Sequence, residues 1–170
     1  MPYRNRQIIT ETRQPLLRRS ASGGFFMKRI YVNEKWCLGC HLCEYECAFA
    51  NSGLTDMVKA LKGKKIHPNI RVEDDGDVHF AVNCRHCTDA VCVRSCIAGA
   101  LSFDGEMVRI DQNKCVGCLT CVLVCPYGAI LPDEEGHVAQ KCMLCTNNFS
   151  KEPNCVRHCL NNAIVYEERD

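Results

Sequence analysis

The chain has 170 residues, enough for one domain or two small ones, and a formal net charge of +1 that offers no electrostatic footprint for nucleic acid or a lipid surface. Sixteen cysteines put it in the range where bound metal or crosslinks, more than apolar packing, hold a small chain together. No run approaches the roughly 18 apolar residues of a membrane span. Arg18-Arg19 is followed by "SASGGFF" and at once by charged "MKR", without an apolar stretch of signal-peptide length, so the expectation is a soluble, cytoplasmic protein with reduced thiols rather than an exported one with disulfides.

In chain order, residues 1–26 are polar, arginine-rich and without periodicity, and are expected to form a partner-contacting or disordered arm; Met27 resembles an alternative start. The first cysteine group, "CLGCHLCEYEC", places Cys37, Cys40, Cys43 and Cys47 in the spacing C-x2-C-x2-C-x3-C, the bacterial ferredoxin run. Then "TDMVKALKGKK" reads as a short basic helix whose Lys59, Lys62, Lys64 and Lys65 form a solvated face or dock an acidic partner, and "NIRVEDDGDVHFAV" reads as a hairpin turning at Asp74 to Asp77. The second group, "CRHCTDAVCVRSC", contains Cys84, Cys87, Cys92 and Cys96, with the middle gap stretched to four. After it, "AGALSFDGEMVRIDQNKC" predicts a small hairpin around "DGE" that leads through a Lys-Cys step into the third group. That group, "CVGCLTCVLVCP", contains Cys115, Cys118, Cys121 and Cys125 in the unstretched spacing. "YGAILPDEEGHVAQKC" repeats the hairpin and the Lys-Cys step around "DEEG" and opens the fourth group, Cys142, Cys145, Cys155 and Cys159, whose middle gap is nine. "NNAIVYEE" repeats only the first strand of that hairpin.

Sixteen cysteines thus sort into four groups of four with none left over. Every group keeps its first C-x2-C and its last C-x3-C, and only the middle gap grows, where a loop can bulge outward without moving the ligands. The long fourth group is therefore expected to be a working site. Zinc held by four cysteines is the alternative, but zinc ribbons do not need a fourth cysteine three residues after a third. In the ferredoxin run that last cysteine serves the other cluster of a pair, which favours iron–sulfur clusters.

This pattern resembles the four-cluster ferredoxin subunits of molybdenum and tungsten oxidoreductases, hydrogenases and carbon monoxide dehydrogenases, over about residues 27–168. "MKRIYVNEKWCLGCHLCEYECAFANSG" and "CVRSCIAGAL" look most like the CooF-type subunit family that serves carbon monoxide dehydrogenase. The resemblance implies an α+β fold of two bacterial-ferredoxin-like modules, with small hairpins and short helices around four [4Fe-4S] clusters. The outer module would come from residues 27–50 and 138–170, the inner from 80–137, with a basic insertion at 51–79. The implied ligand sets are Cys37, Cys40, Cys43 and Cys159; Cys142, Cys145, Cys155 and Cys47; Cys84, Cys87, Cys92 and Cys125; and Cys115, Cys118, Cys121 and Cys96. Proline follows only Cys125; Ala48, Ile97 and Leu160 replace it elsewhere.

With every thiol assigned, none remains for nucleophilic catalysis, and the chain has neither a P-loop nor a Rossmann fingerprint. The expected role is a non-catalytic, hetero-oligomeric electron-transfer subunit, suited to anaerobic metabolism, between a catalytic subunit and a flavoprotein, hydrogenase or ferredoxin. Carbon monoxide dehydrogenase is the preferred partner. A tungsten aldehyde oxidoreductase, formate dehydrogenase or hydrogenase is the runner-up, and a zinc-stabilised scaffold the alternative from another class. His41, His86 and His158 are read as neighbours of the ligands or surface residues, Trp36 and Tyr127 as packing beside clusters, and Arg85, Arg94 and Arg157 as offsetting cluster charge.

Overall fold

Short strands that alternate apolar and polar side chains bury too little surface to stand alone. In the computed structural model, which describes residues 27–146 and 152–169, they are backed by loops and short helices. The expected N-terminal arm lies outside the described residues. The chain enters on β1 (Lys28–Val32) and a 3-10 turn at Glu34–Trp36, where the Asn33 side chain accepts the Lys35 N–H at 3.1 Å. Helix α1 (Leu42–Asn51) carries the end of the first cysteine group, and α2 (Met57–Leu61) follows, capped by Asp56, whose carboxylate accepts the Val58 and Lys59 N–H groups.

The basic helix expected here is only this one turn and a half. Its C-cap is Lys62 with ψ at 119°, next to Gly63, so Lys62, Lys64 and Lys65 lie beyond the helix, and all four lysines are exposed. The three expected hairpins form. They are β2 (Ile70–Asp75) with β3 (Val78–Asn83), then, after α3 (Val91–Arg94), β4 (Leu101–Phe103) with β5 (Val108–Ile110), and, after α4 (Thr120–Val124), β6 (Ile130–Pro132) with β7 (Ala139–Lys141). Turn chemistry explains them: Asp104 Oδ1 accepts the Glu106 and Met107 N–H groups, and Asp133 Oδ1 accepts those of His137 and Val138. Helix α5 (Asn154–Arg157) leads to β8 (Ile164–Glu168), the lone repeated strand, which pairs antiparallel with β1 from Lys28↔Glu168 to Val32↔Ile164.

The helices pack pairwise, α1 against α5 and α3 against α4. Two apolar clusters result. One joins Ile30, Ile70 and Ile164 to Cys43, Cys47, Cys142 and Cys155; the other joins Leu101, Val108 and Ile130 to Cys121, with Cys87, Cys92, Cys96 and Cys115 packed against it. The β2–β3 hairpin is tied to the rest: the Val72 N–H donates to Glu44 Oε1 at 2.6 Å, and Arg71 donates to the Gly128 carbonyl at 2.8 Å.

Candidate metal centre

Each cysteine group bends its first C-x2-C around a residue with positive φ: Gly39 (62°), His86 (47°), Gly117 (70°) and Leu144 (52°). This left-handed residue reverses the chain between the two thiols that flank it. Glycine is required twice over at two of these loops. A Cβ on Gly39 would stand 2.7 Å from the His79 ring, and one on Gly117 would stand 2.0 Å from the His137 carbonyl oxygen. The Gly117→Ala variant is therefore expected to lose about 2 kcal/mol or more, since the left-handed backbone alone costs an alanine about 1–2 kcal/mol and a backbone oxygen cannot swing away. Thermal melting and iron content of the purified variant would check it; wild-type values in both would show that the loop yields.

The last cysteine of a group is placed by a short helix and then a tight turn. After Cys96 and Cys125 the chain turns at Gly99 (60°) and Gly128 (57°), and the next N–H, of Ala100 or Ala129, donates back to the cysteine sulfur at 3.2 and 3.4 Å. Asn162 (51°) makes the equivalent turn after Cys159, ahead of buried Ala163. Cys47 differs because α1 continues past it. Its sulfur takes the Asn69 N–H at 3.3 Å and the Asn51 side-chain amide at 3.6 Å, so the insertion supplies donors that Cys96 and Cys125 find in their own turns.

The thiols gather into four neighbourhoods. Cys37, Cys40, Cys43 and Cys159 line one cavity with Trp36, Leu38 and Leu160; burial, then Glu44 and the other three cysteines, push the Cys43 thiol up to about 12. Cys47, Cys142, Cys145 and Cys155 form the second: burial, with a contribution from Cys47, pushes Cys142 up to about 12, and burial, then Cys142, Cys47 and Cys145, push Cys155 well above the ordinary thiol. Cys84, Cys87, Cys92 and Cys125 line a cavity of about 470 Å³ beside Tyr127, where burial, then Cys84 and Cys125, push Cys92 up to about 11. Cys96, Cys115, Cys118 and Cys121 line the fourth, where burial and then Cys115 and Cys96 raise Cys121. Cys40 and Cys118 are the two exposed thiols.

Among the described residues, no three His, Cys, Asp or Glu side chains close on one point as a single ion requires. Three of the four thiol sets line open volumes instead. Four soft donors to a cavity, with N–H groups directed at several sulfurs, fit an iron–sulfide cage whose charge those N–H groups stabilise. The histidines take other partners. His41 bonds Glu44 at 3.0 Å, His158 bonds Glu46 at 3.2 Å, and His86, fully buried, accepts the Val108 N–H at 3.2 Å. Arg85 lies over the Tyr127 ring at 5.6 Å, and Arg94 pairs with Asp89. Sequence reasoning did not find Asn69 or the buried Lys141. The repeated Lys-Cys step was a signal for the second; nothing signalled the first.

Four cysteine groups, each ending in a cysteine on or just after a short helix, with N–H groups directed at the Cys47, Cys96 and Cys125 sulfurs, define a ferredoxin-like iron–sulfur protein. The 4Fe-4S dicluster domain family matches residues 77–169, and the chain belongs to that family. It is 36% identical over 156 residues to an iron-sulfur protein of Rhodospirillum rubrum, covering 83% of this chain and 82% of that one. It is 32% identical over 156 residues to the electron transport protein HydN of Escherichia coli (strain K12), covering 83% of this chain and 88% of HydN. With AegA of Escherichia coli (strain K12) the identity is 38% over 142 residues, covering 79% of this chain but 21% of AegA, so the chain spans about a fifth of that relative.

Proposed function

We propose that the chain is a four-cluster electron-transfer subunit, holding one [4Fe-4S] cluster in each thiol neighbourhood. The first would be held by Cys37, Cys40, Cys43 and Cys159, the second by Cys47, Cys142, Cys145 and Cys155, the third by Cys84, Cys87, Cys92 and Cys125, and the fourth by Cys96, Cys115, Cys118 and Cys121. The observation that carries the reading is the partition of all sixteen cysteines into four neighbourhoods of four, each mixing thiols from two sequence groups. Each such cluster, when bound, takes up and gives back one electron at a time.

The arrangement supports two modules, the outer from 27–50 and 138–170 and the inner from 80–137, bridged by the insertion at 51–79. The β1–β8 ribbon and the α1–α5 contact favour the outer one, and the α3–α4 contact the inner. It also supports a linear order. Cys43, Cys142, Cys155 and Cys84 pack in one buried cluster, which favours the second set lying between the first and third. The exposed Cys40 and Cys118 belong to the first and fourth sets, and beside them stand exposed Leu38 and Leu160 at one end and Val116 and Ile97 at the other. Those ends are where partners would meet the chain.

Relatives named as an iron-sulfur protein and an electron transport protein favour conduction over catalysis. Among the described residues no helix is long and apolar enough to cross a membrane, and clusters held by cysteine thiolates suit a reducing cytoplasm. The preferred catalytic partner is carbon monoxide dehydrogenase, on the resemblance of residues 27–53 and 92–101. The electron acceptor would be a flavoprotein, hydrogenase or ferredoxin. A tungsten aldehyde oxidoreductase, formate dehydrogenase or hydrogenase complex would use the same wiring. The test is iron, acid-labile sulfide and zinc per chain on anaerobically purified protein. About sixteen irons are expected for four cubanes; zinc in their place would overturn the reading.

A further inference from the structure

A buried cation lies between the second and third thiol neighbourhoods. Lys141 ends β7, directly before Cys142, and is 1% exposed. Its Nζ donates to the Val108 carbonyl at 2.5 Å and to the Cys142 carbonyl at 2.6 Å, with Met143 Sδ at 3.9 Å; none of these partners is an acid. The Val108 N–H in turn donates to His86, which sits between Cys84 and Cys87, so one buried chain of contacts runs from the loop of the second cysteine group to the first cysteine of the fourth. Lys114 occupies the same Lys-Cys step before the third group, yet it is exposed and reaches Asp111 at 3.7 Å. The Lys-Cys step alone therefore does not bury a lysine.

Burying an ammonium without a carboxylate is costly, and such a charge persists where other negative charge compensates it. The nearby candidates are thiolates. Cys142 follows Lys141 directly and packs in one buried cluster with Cys84, and Val108, to which Lys141 donates, is hydrogen-bonded to His86 between Cys84 and Cys87.

We infer that Lys141 is the shared counter-charge of the second and third thiol sets, and that its positive charge raises the reduction potential of the clusters they hold. The inference rests on the four-cluster reading above. On one-electron reduction a cluster gains one negative charge, with no bond made or broken; Lys141 stabilises that added charge, and burial protects the effect from salt screening. Lys141 is a positioning residue for charge and does not itself carry the electron.

The test is a mediated redox titration, with dithionite as reductant, of the anaerobic full chain and of the variants Lys141→Gln and Lys141→Arg, followed by electron paramagnetic resonance and with iron measured in each sample. Glutamine keeps N–H donors for the two carbonyls and removes the charge; arginine keeps the charge. The expected result is that Lys141→Gln makes two clusters harder to reduce, with a tenfold or larger fall in the reduced-to-oxidised ratio at fixed potential, about 59 mV for one electron. The other two clusters and Lys141→Arg should stay near wild type. If Lys141→Gln loses iron and Lys141→Arg restores it, the charge is needed even to hold the clusters, which also supports the inference. A full iron complement with unchanged potentials in Lys141→Gln, or iron loss in both variants, overturns it and leaves Lys141 a packing residue. Wild-type protein without about sixteen irons would instead overturn the four-cluster reading.

Discussion

Replacing Cys47 with serine is expected to remove the cluster seated on the fourth cysteine group and to spare that of its own group. Cys47 sits with Cys142, Cys145 and Cys155 because it stands a turn of α1 beyond Cys43, away from the loop of Cys37 and Cys40. Removing its sulfur also strands the Asn69 N–H and the Asn51 amide, each left pointing at a weaker acceptor. The expected loss is about a quarter of the iron, as one cubane of four. The missing spectroscopic component should match the one lost in Cys142→Ser and differ from the one lost in Cys40→Ser. A match to Cys40→Ser would refute the exchange of fourth ligands between groups.

The second large effect concerns the whole fold. Anaerobic stripping of iron with an oxidant and a chelator is expected to unfold most of the chain, because cysteine and alanine make up most of the buried apolar residues described and large aliphatic side chains are few. Without metal, thiols pushed up to about 11 to 12 at Cys43, Cys47, Cys92 and Cys142 stay protonated at neutral pH and leave voids between the ribbons. Cluster binding is then folding free energy, and it releases those protons. Hydrogen exchange of the β1–β8 and β4–β5 ribbons, before and after stripping, would read the effect. Protection that survives stripping would show that the polypeptide alone suffices.

Local chemistry made much of this legible in the sequence. The β4–β5 and β6–β7 hairpins could be placed because Asp104 and Asp133 are turn residues flanked by short alternating strands, and the family of metal centre could be read because ligand spacing is itself local. What escaped depends on residues far apart. The strand after the fourth group has no hairpin mate nearby; its mate is β1, whose identity only the assembled fold reveals. Asn69 donates to a sulfur 22 positions away through its backbone N–H, which any residue but proline could offer. Lys114 and Lys141 share one motif, yet only the second is enclosed, since β7 delivers it beneath β5 while the first stays at the surface beside Asp111.

The β1–β8 ribbon has a consequence for how the protein is made. As the ribosome extends the chain at about 5–20 residues per second, residues 28–32 emerge early and stay without their mate until residues 164–168 follow. The span from Cys84 to Cys125 emerges complete well before that and, on the four-cluster reading, would take up iron and sulfide while synthesis continues. On the same reading, cysteines 37, 40, 43 and 47 would wait as open thiols for Cys142 to Cys159. Maturation would therefore run from the middle of the chain outward, and any interruption of translation before β8 would release a polypeptide whose exposed, half-equipped thiols mark it for air oxidation and proteolysis.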